Sequence, residues 1–200
     1  HTVTRRQRQM CIRDRVVVSD GTGTLSAADL KAVTEKTTGT VTLQSAQTIS
    51  GSGTDVTAVL ITDAVTLSAA SNATVTGNVT AEVAGNIANV TDITAAFSGT
   101  ITDTLANLAD SGSISTNFSR ARGDDTDVKV VVSDGTGTLS AADLAAITAK
   151  TSGTVTLQNA QTVSGTGDEV TAALITNPLT LSAASNLSLI HISEPTRLER

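Results

Sequence analysis

Val16 to Asn72 aligns without a gap on Val130 to Asn186, at an offset of 114 residues, with 44 of 57 positions identical. A period of this kind constrains the fold more than any local pattern, because a recurring unit presents the same faces each time and is built to stack on its neighbour. Apolar positions exchange for apolar ones: Val33 for Ile147, Ile49 for Val163, Val65 for Leu179 and Val59 for Ala173. Polar positions exchange mostly among polar residues or alanine: Lys31 for Ala145, Glu35 for Ala149, Ser45 for Asn159 and Thr54 for Asp168. Volume is kept where burial is expected, while surface chemistry drifts. The chain therefore divides into one complete 114-residue repeat, 16–129, and the first half of the next, 130–186.

A shorter unit lies inside the long one. The runs that begin at Gly51, Gly77, Gly99 and Gly137 share one pattern, with glycines 26, 22 and 38 residues apart, and a further 28 residues reach Gly165. Each reads as a glycine turn, short helix, loop and short strand. Apolar residues three and four apart (Val79, Val83, Ile87 and Ile101, Leu105, Leu108) fall on one helical face. Ser26 with Asp29, and Ser140 with Asp143, match the pattern that caps a helix start. Thr40 to Gln44 and Ala64 to Ser68 alternate Val and Leu on one face with mainly Thr on the other, as a half-buried strand does. Pieces this short cannot bury an apolar face alone, so neighbouring units must supply the core. The expectation is an α/β repeat solenoid of short strand plus short helix units, with parallel strands as one wall and helices as the other. The alternative is a right-handed parallel β-helix with irregular coils. The long spacing around Ser111 to Lys129 is expected to project as a loop.

The two ends differ from everything between them. Arg5 to Asp14 back-translates to a sequence resembling a transposase-library sequencing adapter, and Leu187 to Arg197 to its reverse-strand counterpart. Residues 1–15 and 187–200 are therefore expected to be translated adapter rather than native protein, and lie outside fold reasoning. What remains contains no Cys, Met, His, Trp or Tyr, and its 6 basic and 16 acidic residues give a net charge of −10. Such a chain repels nucleic-acid phosphates and anionic lipid, because counterion release requires clustered Lys and Arg. The nearest basic cluster, Arg120, Arg122 and Lys129, is offset by Asp124, Asp125 and Asp127. With Thr at 33 of these 171 positions and only Phe97 and Phe118 as aromatics, packing must come from layers of Val, Ile, Leu and Ala.

Val18 to Asp29 resembles a decayed calcium loop of the EF-hand or dockerin kind, with Asp20, Thr22, Gly23, Leu25 and Asp29 in register. The second copy keeps Asp134, Gly137, Leu139 and Asp143, but Val18 and Val132 stand where that loop needs its first acidic ligand. A glycine turn followed by a capped helix explains the same residues, so calcium at Asp20, Asp29, Asp134 and Asp143 is the alternative reading. Gly123 to Asp127 is the densest acidic run and reads as a solvated loop tip. Arg122-Gly123-Asp124 spells an integrin-binding tripeptide of the kind that chance supplies. Asn72, Asn78, Asn89 and Asn117 head glycosylation triplets, which a chain this rich in Thr contains without selection. No glycine cluster completes a phosphate-binding pattern.

The run Ser19 to Leu30 followed by Lys36 to Leu43 is similar to tandem repeats of very large secreted or cell-surface, adhesin-like proteins of cyanobacteria and other marine bacteria. The resemblance implies an extracellular structural or adhesive role. It implies neighbouring repeats of the same chain as partners, with surface glycans or proteins beyond them, and transfers no binding residue. No catalysis and no cofactor are expected. Without His and Cys there is no imidazole base or thiolate, and the carboxylates lie in caps and loops.

Overall fold

The computed structural model describes residues 15–189, except 64, 177, 178 and 183, so most of the expected adapter lies outside the described residues. The first half contains β1 (Val16–Val18), β2 (Gly23–Ser26), α1 (Ala27–Thr34), β3 (Val41–Leu43), β4 (Gln47–Ser52) and α2 (Gly53–Thr57), which widens into a π turn over Ala58–Thr62. The middle contains β5 (Ser71–Thr76), α3 (Ala81–Ala88), β6 (Ile93–Phe97), β7 (Thr100–Asp103), α4 (Leu105–Leu108), β8 (Ala109–Asp110), β9 (Ser113–Ile114) and α5 (Thr116–Asp124). The second copy follows as β10 (Lys129–Val132), β11 (Gly137–Ser140), α6 (Ala141–Thr148), β12 (Val155–Leu157), β13 (Gln161–Gly165), α7 (Gly167–Thr171) with its own π turn over Ala172–Thr176, β14 (Leu179–Thr180) and β15 (Asn186–Leu189), of which Leu187 to Leu189 fall in the segment expected to be adapter.

This is a mixed α/β structure with mostly parallel sheets. Some connections between strands are capped helices, whereas those from β1 to β2 and from β3 to β4 are short turns. The side chains of Ser26, Ser52, Thr80, Ser115, Ser140 and Thr166 each accept from the backbone N–H three residues on, satisfying a donor that the first helical turn leaves free.

Among the described residues the strands pair in four parallel sets. One joins β1 to β3 and continues through Thr66 beside Thr42; a second runs β2-β4-β5-β6. A third begins where Val79 bridges Ile101 and runs β7-β10-β12-β14, and a fourth runs β11-β13-β15. The third set crosses from one copy of the repeat into the next, with Lys129 to Val132 beside Thr100 to Asp103. The hairpin β8-β9 is the antiparallel exception among the described residues. Alternate strand residues face inward, so Val41, Leu43, Ile49, Ala73, Val75, Val130, Val132, Val155, Leu157 and Val163 form the core together with apolar residues from the helices. A fully buried Ile or Val contributes about 1.5–3 kcal/mol, and repetition multiplies that modest unit.

Three sequence expectations need correction. Ser111 to Lys129 does not project as a loop: it contains β9 and the capped helix α5, which packs along α3 with Phe118 and Ala121 fully buried. The spacing of 38 is long because it holds a whole extra helix. Second, Ile101 does not share a helix with Leu105 and Leu108, because the β-branched run Thr100 to Thr102 is taken by a strand and α4 is a single turn. Likewise Val79 precedes the Thr80 cap of α3. Third, Gly51, Gly137 and Gly165 lie in strands rather than turns.

Candidate functional site

Where the chain leaves one strand set for the next, aspartates bind backbone N–H groups that no ladder or helix satisfies. Asp103, at the end of β7, accepts from Ala81 N at 2.9 Å through Oδ2, and from Thr104 N and Asn107 Nδ2 at 2.9 and 2.7 Å through Oδ1. Asp134, in the turn from β10 to β11, accepts from Leu105 N at 2.7 Å. It thereby caps α4, whose own Thr104 makes no side-chain cap. Asp143, in the first turn of α6, accepts from Gly112 N at 2.6 Å. At the edge strand β6, Ala95 N donates to Asp124 and Phe97 N to Asp125, at 2.9 and 2.7 Å. An N–H shielded from water without a partner costs roughly 1–3 kcal/mol, so each contact ties two distant segments together. Burial pushes the Asp125 carboxyl above its ordinary value. Its side-chain interaction with Asp127 acts the same way, and the backbone N–H groups of Phe97 and Asp127 act against both.

The four aspartates of the calcium alternative are thus placed differently in the two copies. Asp134 and Asp143 bind separate backbone donors, whereas Asp20 and Asp29 are exposed and their carboxylates have no hydrogen-bond partner among the described residues. Among the described residues, no group of three or more His, Cys, Asp or Glu is arranged to hold a metal ion. The Asp-Gly turns are instead held by a residue that sequence reasoning missed. Buried Gln47 donates through Nε2 to Asp20 O at 3.0 Å and to Gly21 O, and Gln161 repeats this with Asp134 O at 2.9 Å and Gly135 O.

The remaining motifs are built into the fold. In the Arg122-Gly123-Asp124 tripeptide, Arg122 Nε donates to Lys150 O at 2.6 Å and Asp124 is bound to Ala95, so both ends are fastened to neighbouring segments. Gly123 and Asp124 close α5, and Asp125 and Asp127 follow it, so this acidic run is only partly a solvated tip. Of the glycosylation asparagines, Asn72, Asn78 and Asn89 are exposed and Asn117 is half-buried on α5.

Asn117 also lines a polar cleft of about 300 Å³ with Thr80, Glu82, Asn86, Asp103 and Asn107. Asp103 is fixed there by its three donors, and Asn107, held through its amide nitrogen, retains its carbonyl oxygen for other contacts. The side chains of Glu82, Asn86 and Asn117 have no hydrogen-bond partner among the described residues. The wall therefore offers amide donors and carboxylate and carbonyl acceptors, a set suited to hydroxyl groups. No helix among the described residues is long and apolar enough to cross a membrane. Comparison with protein-family models, with curated proteins and with solved structures finds no match to this chain.

Proposed function

We propose that the chain is a structural and adhesive segment of a large extracellular surface protein, a solenoid in which each repeat stacks on the one before it. The observation that carries this reading is the register. Gly23 to Ser26 pair with Gln47 to Ser50 as Gly137 to Ser140 pair with Gln161 to Ser164. The next coil follows the same rule in both copies, with Thr48 beside Asn72 and Thr162 beside Asn186. One stacking rule applied twice is what an array needs in order to lengthen without new interfaces. The acidic composition of residues 16–186, which contain no cysteine, fits a surface location. Contact with surface glycans would fall to the cleft around Asp103, which the non-duplicated half of the repeat supplies once per 114 residues, a spacing that favours multivalent attachment.

Chains of one, two and three complete repeats test the proposal. Small-angle scattering is expected to show a constant increment in length per repeat, and the melting temperature to rise with repeat number as terminal coils become a smaller share. Beads moving independently at an unchanged melting temperature would refute it. Glycan-array binding lost in Asn86→Ala with Asn117→Ala would support the adhesive part, and binding unaffected by those changes would remove it from the cleft.

A further inference from the structure

The two copies carry the same residues in different surroundings, and the difference identifies a docking surface. In the second copy Val130 and Val132 are each 1 % exposed, and Ile147 on α6 is fully buried. Their covers are the residues just upstream: β7 lies beside β10, and α4 with the β8-β9 hairpin packs on α6. In the first copy the equivalent Val16 and Val18 are half-buried and Val33 on α1 is 37 % exposed. The polar partners follow suit. Asp134 and Asp143 bind Leu105 N and Gly112 N of that upstream cover, while Asp20 and Asp29 are exposed with free carboxylates.

We infer that the face formed by β1, α1 and the Asp20 turn is the binding site for the 100–114 segment of a preceding repeat. The seating is defined residue by residue by the second copy. A Thr-Ile-Thr-Asp strand lies parallel to Val16–Val18, its Ile opposite Val16 and its second Thr opposite Val17, as Ile101 and Thr102 lie opposite Val130 and Val131. Asp20 accepts the N–H that opens the incoming α4 turn, and Asp29 accepts the N–H of the glycine in the incoming hairpin. The incoming hairpin covers Val33. On this reading the aspartates that resemble decayed calcium ligands are clamps for backbone donors, which explains why both copies keep them while lacking the first acidic ligand. The inference rests on the stacked-array proposal and adds the surface, the occupant and the contacts.

The test compares the full chain with an extended chain in which residues 73–129 are duplicated ahead of Val16. In the full chain Asp134→Ala is expected to lower the melting temperature by about 5 °C, the scale that roughly 1–2 kcal/mol gives in a protein of this size, and Asp20→Ala to leave it unchanged. In the extended chain Asp20→Ala is expected to lower it as much as Asp134→Ala does, and the amides of Val16–Val18 to gain protection from hydrogen exchange. If Asp134→Ala is costly in both chains but Asp20→Ala stays silent in the extended one, the docking inference is overturned while stacking survives. If Asp134→Ala is itself silent and the added half-repeat changes nothing, the stacked-array proposal falls with it.

Discussion

Two helical glycines permit a prediction that turns on sign rather than size. Gly85 lies in α3 and Gly123 in the last turn of α5. Replacing a helical glycine by alanine gains up to about 1 kcal/mol, since the unfolded chain loses freedom and the helix is favoured. At Gly123 a methyl group meets nothing within 4 Å, so the gain stands and Gly123→Ala is expected to raise the melting temperature by roughly 1–4 °C. At Gly85 the methyl carbon falls 2.6 Å from both Cα and Cβ of Asn117 and 2.8 Å from its carbonyl oxygen. The obstacle is mainly helix backbone, so α5 must move away from α3 by about 1 Å to restore ordinary contact. Separating that interface loosens the packing around Phe118, and overpacking of this kind costs roughly 1–3 kcal/mol, which outweighs the propensity gain. Gly85→Ala is therefore expected to lower the melting temperature by roughly 2–6 °C. Thermal melts followed by circular dichroism read both variants, and hydrogen exchange should show the loss concentrated in α5. A Gly85→Ala protein that melts higher than the parent would show that α3 and α5 are not in close contact.

Phe118→Ala should cost about 3–5 kcal/mol in urea unfolding, because it empties a fully buried site; a loss below 1 kcal/mol would return Ser111 to Lys129 to the status of a loop. The exposed Lys31–Glu35 pair, 2.5 Å apart, raises the Lys31 pKa and lowers that of Glu35, chiefly through their hydrogen bond. The second copy has Ala145 and Ala149 there, so the double alanine variant is expected to leave the urea midpoint unchanged at neutral pH, as water screens such pairs. Asp125 has a folded pKa raised above its ordinary 3.8, so its ionisation opposes folding and stability falls as pH rises from that value through the folded one. Asp125→Asn keeps an acceptor for Phe97 N and removes the titration. Urea midpoints from about pH 3 to pH 7 should therefore show the variant gaining on the parent as pH rises, and a constant difference would refute the assignment.

What the sequence made legible was whatever is local or periodic. The Ser26 and Ser140 caps read directly from the Ser-x-x-Asp spacing, and Val41 with Leu43 from alternation, because partners three or two residues apart leave a pattern. The helix at Thr116–Asp124 was hidden by its composition: Arg120, Arg122, Gly123 and Asp124 read as a polar loop, and its buried face is only Phe118 and Ala121. Those two lie three residues apart behind the Ser115 cap, and that was the available signal. The aspartate contacts left no trace, since Asp103, Asp124, Asp125, Asp134 and Asp143 reach donors 22 to 31 residues away. Gln47 and Gln161 escaped for the same reason. Nothing in an isolated glutamine says that it will hold a turn 26 residues upstream.

The spacing between paired strands bears on how such a chain acquires its structure. Among the described parallel pairs, Val16 finds Val41, Thr48 finds Asn72, Ser71 finds Ile93 and Ile101 finds Val130, between 22 and 29 residues along the chain. Closing a loop of that size costs an entropy equivalent to about 3 kcal/mol from its length-dependent part. In the proposed stacked array that figure would be the same for every coil, however many coils it contains. Search is therefore always short-range, and a growing chain can add finished coils to a finished stack while its far end is still being made. In the proposed stacked array, acquisition time would scale with the number of coils rather than with the distance between the ends, so a long array would fold under the kinetic rules of a short one.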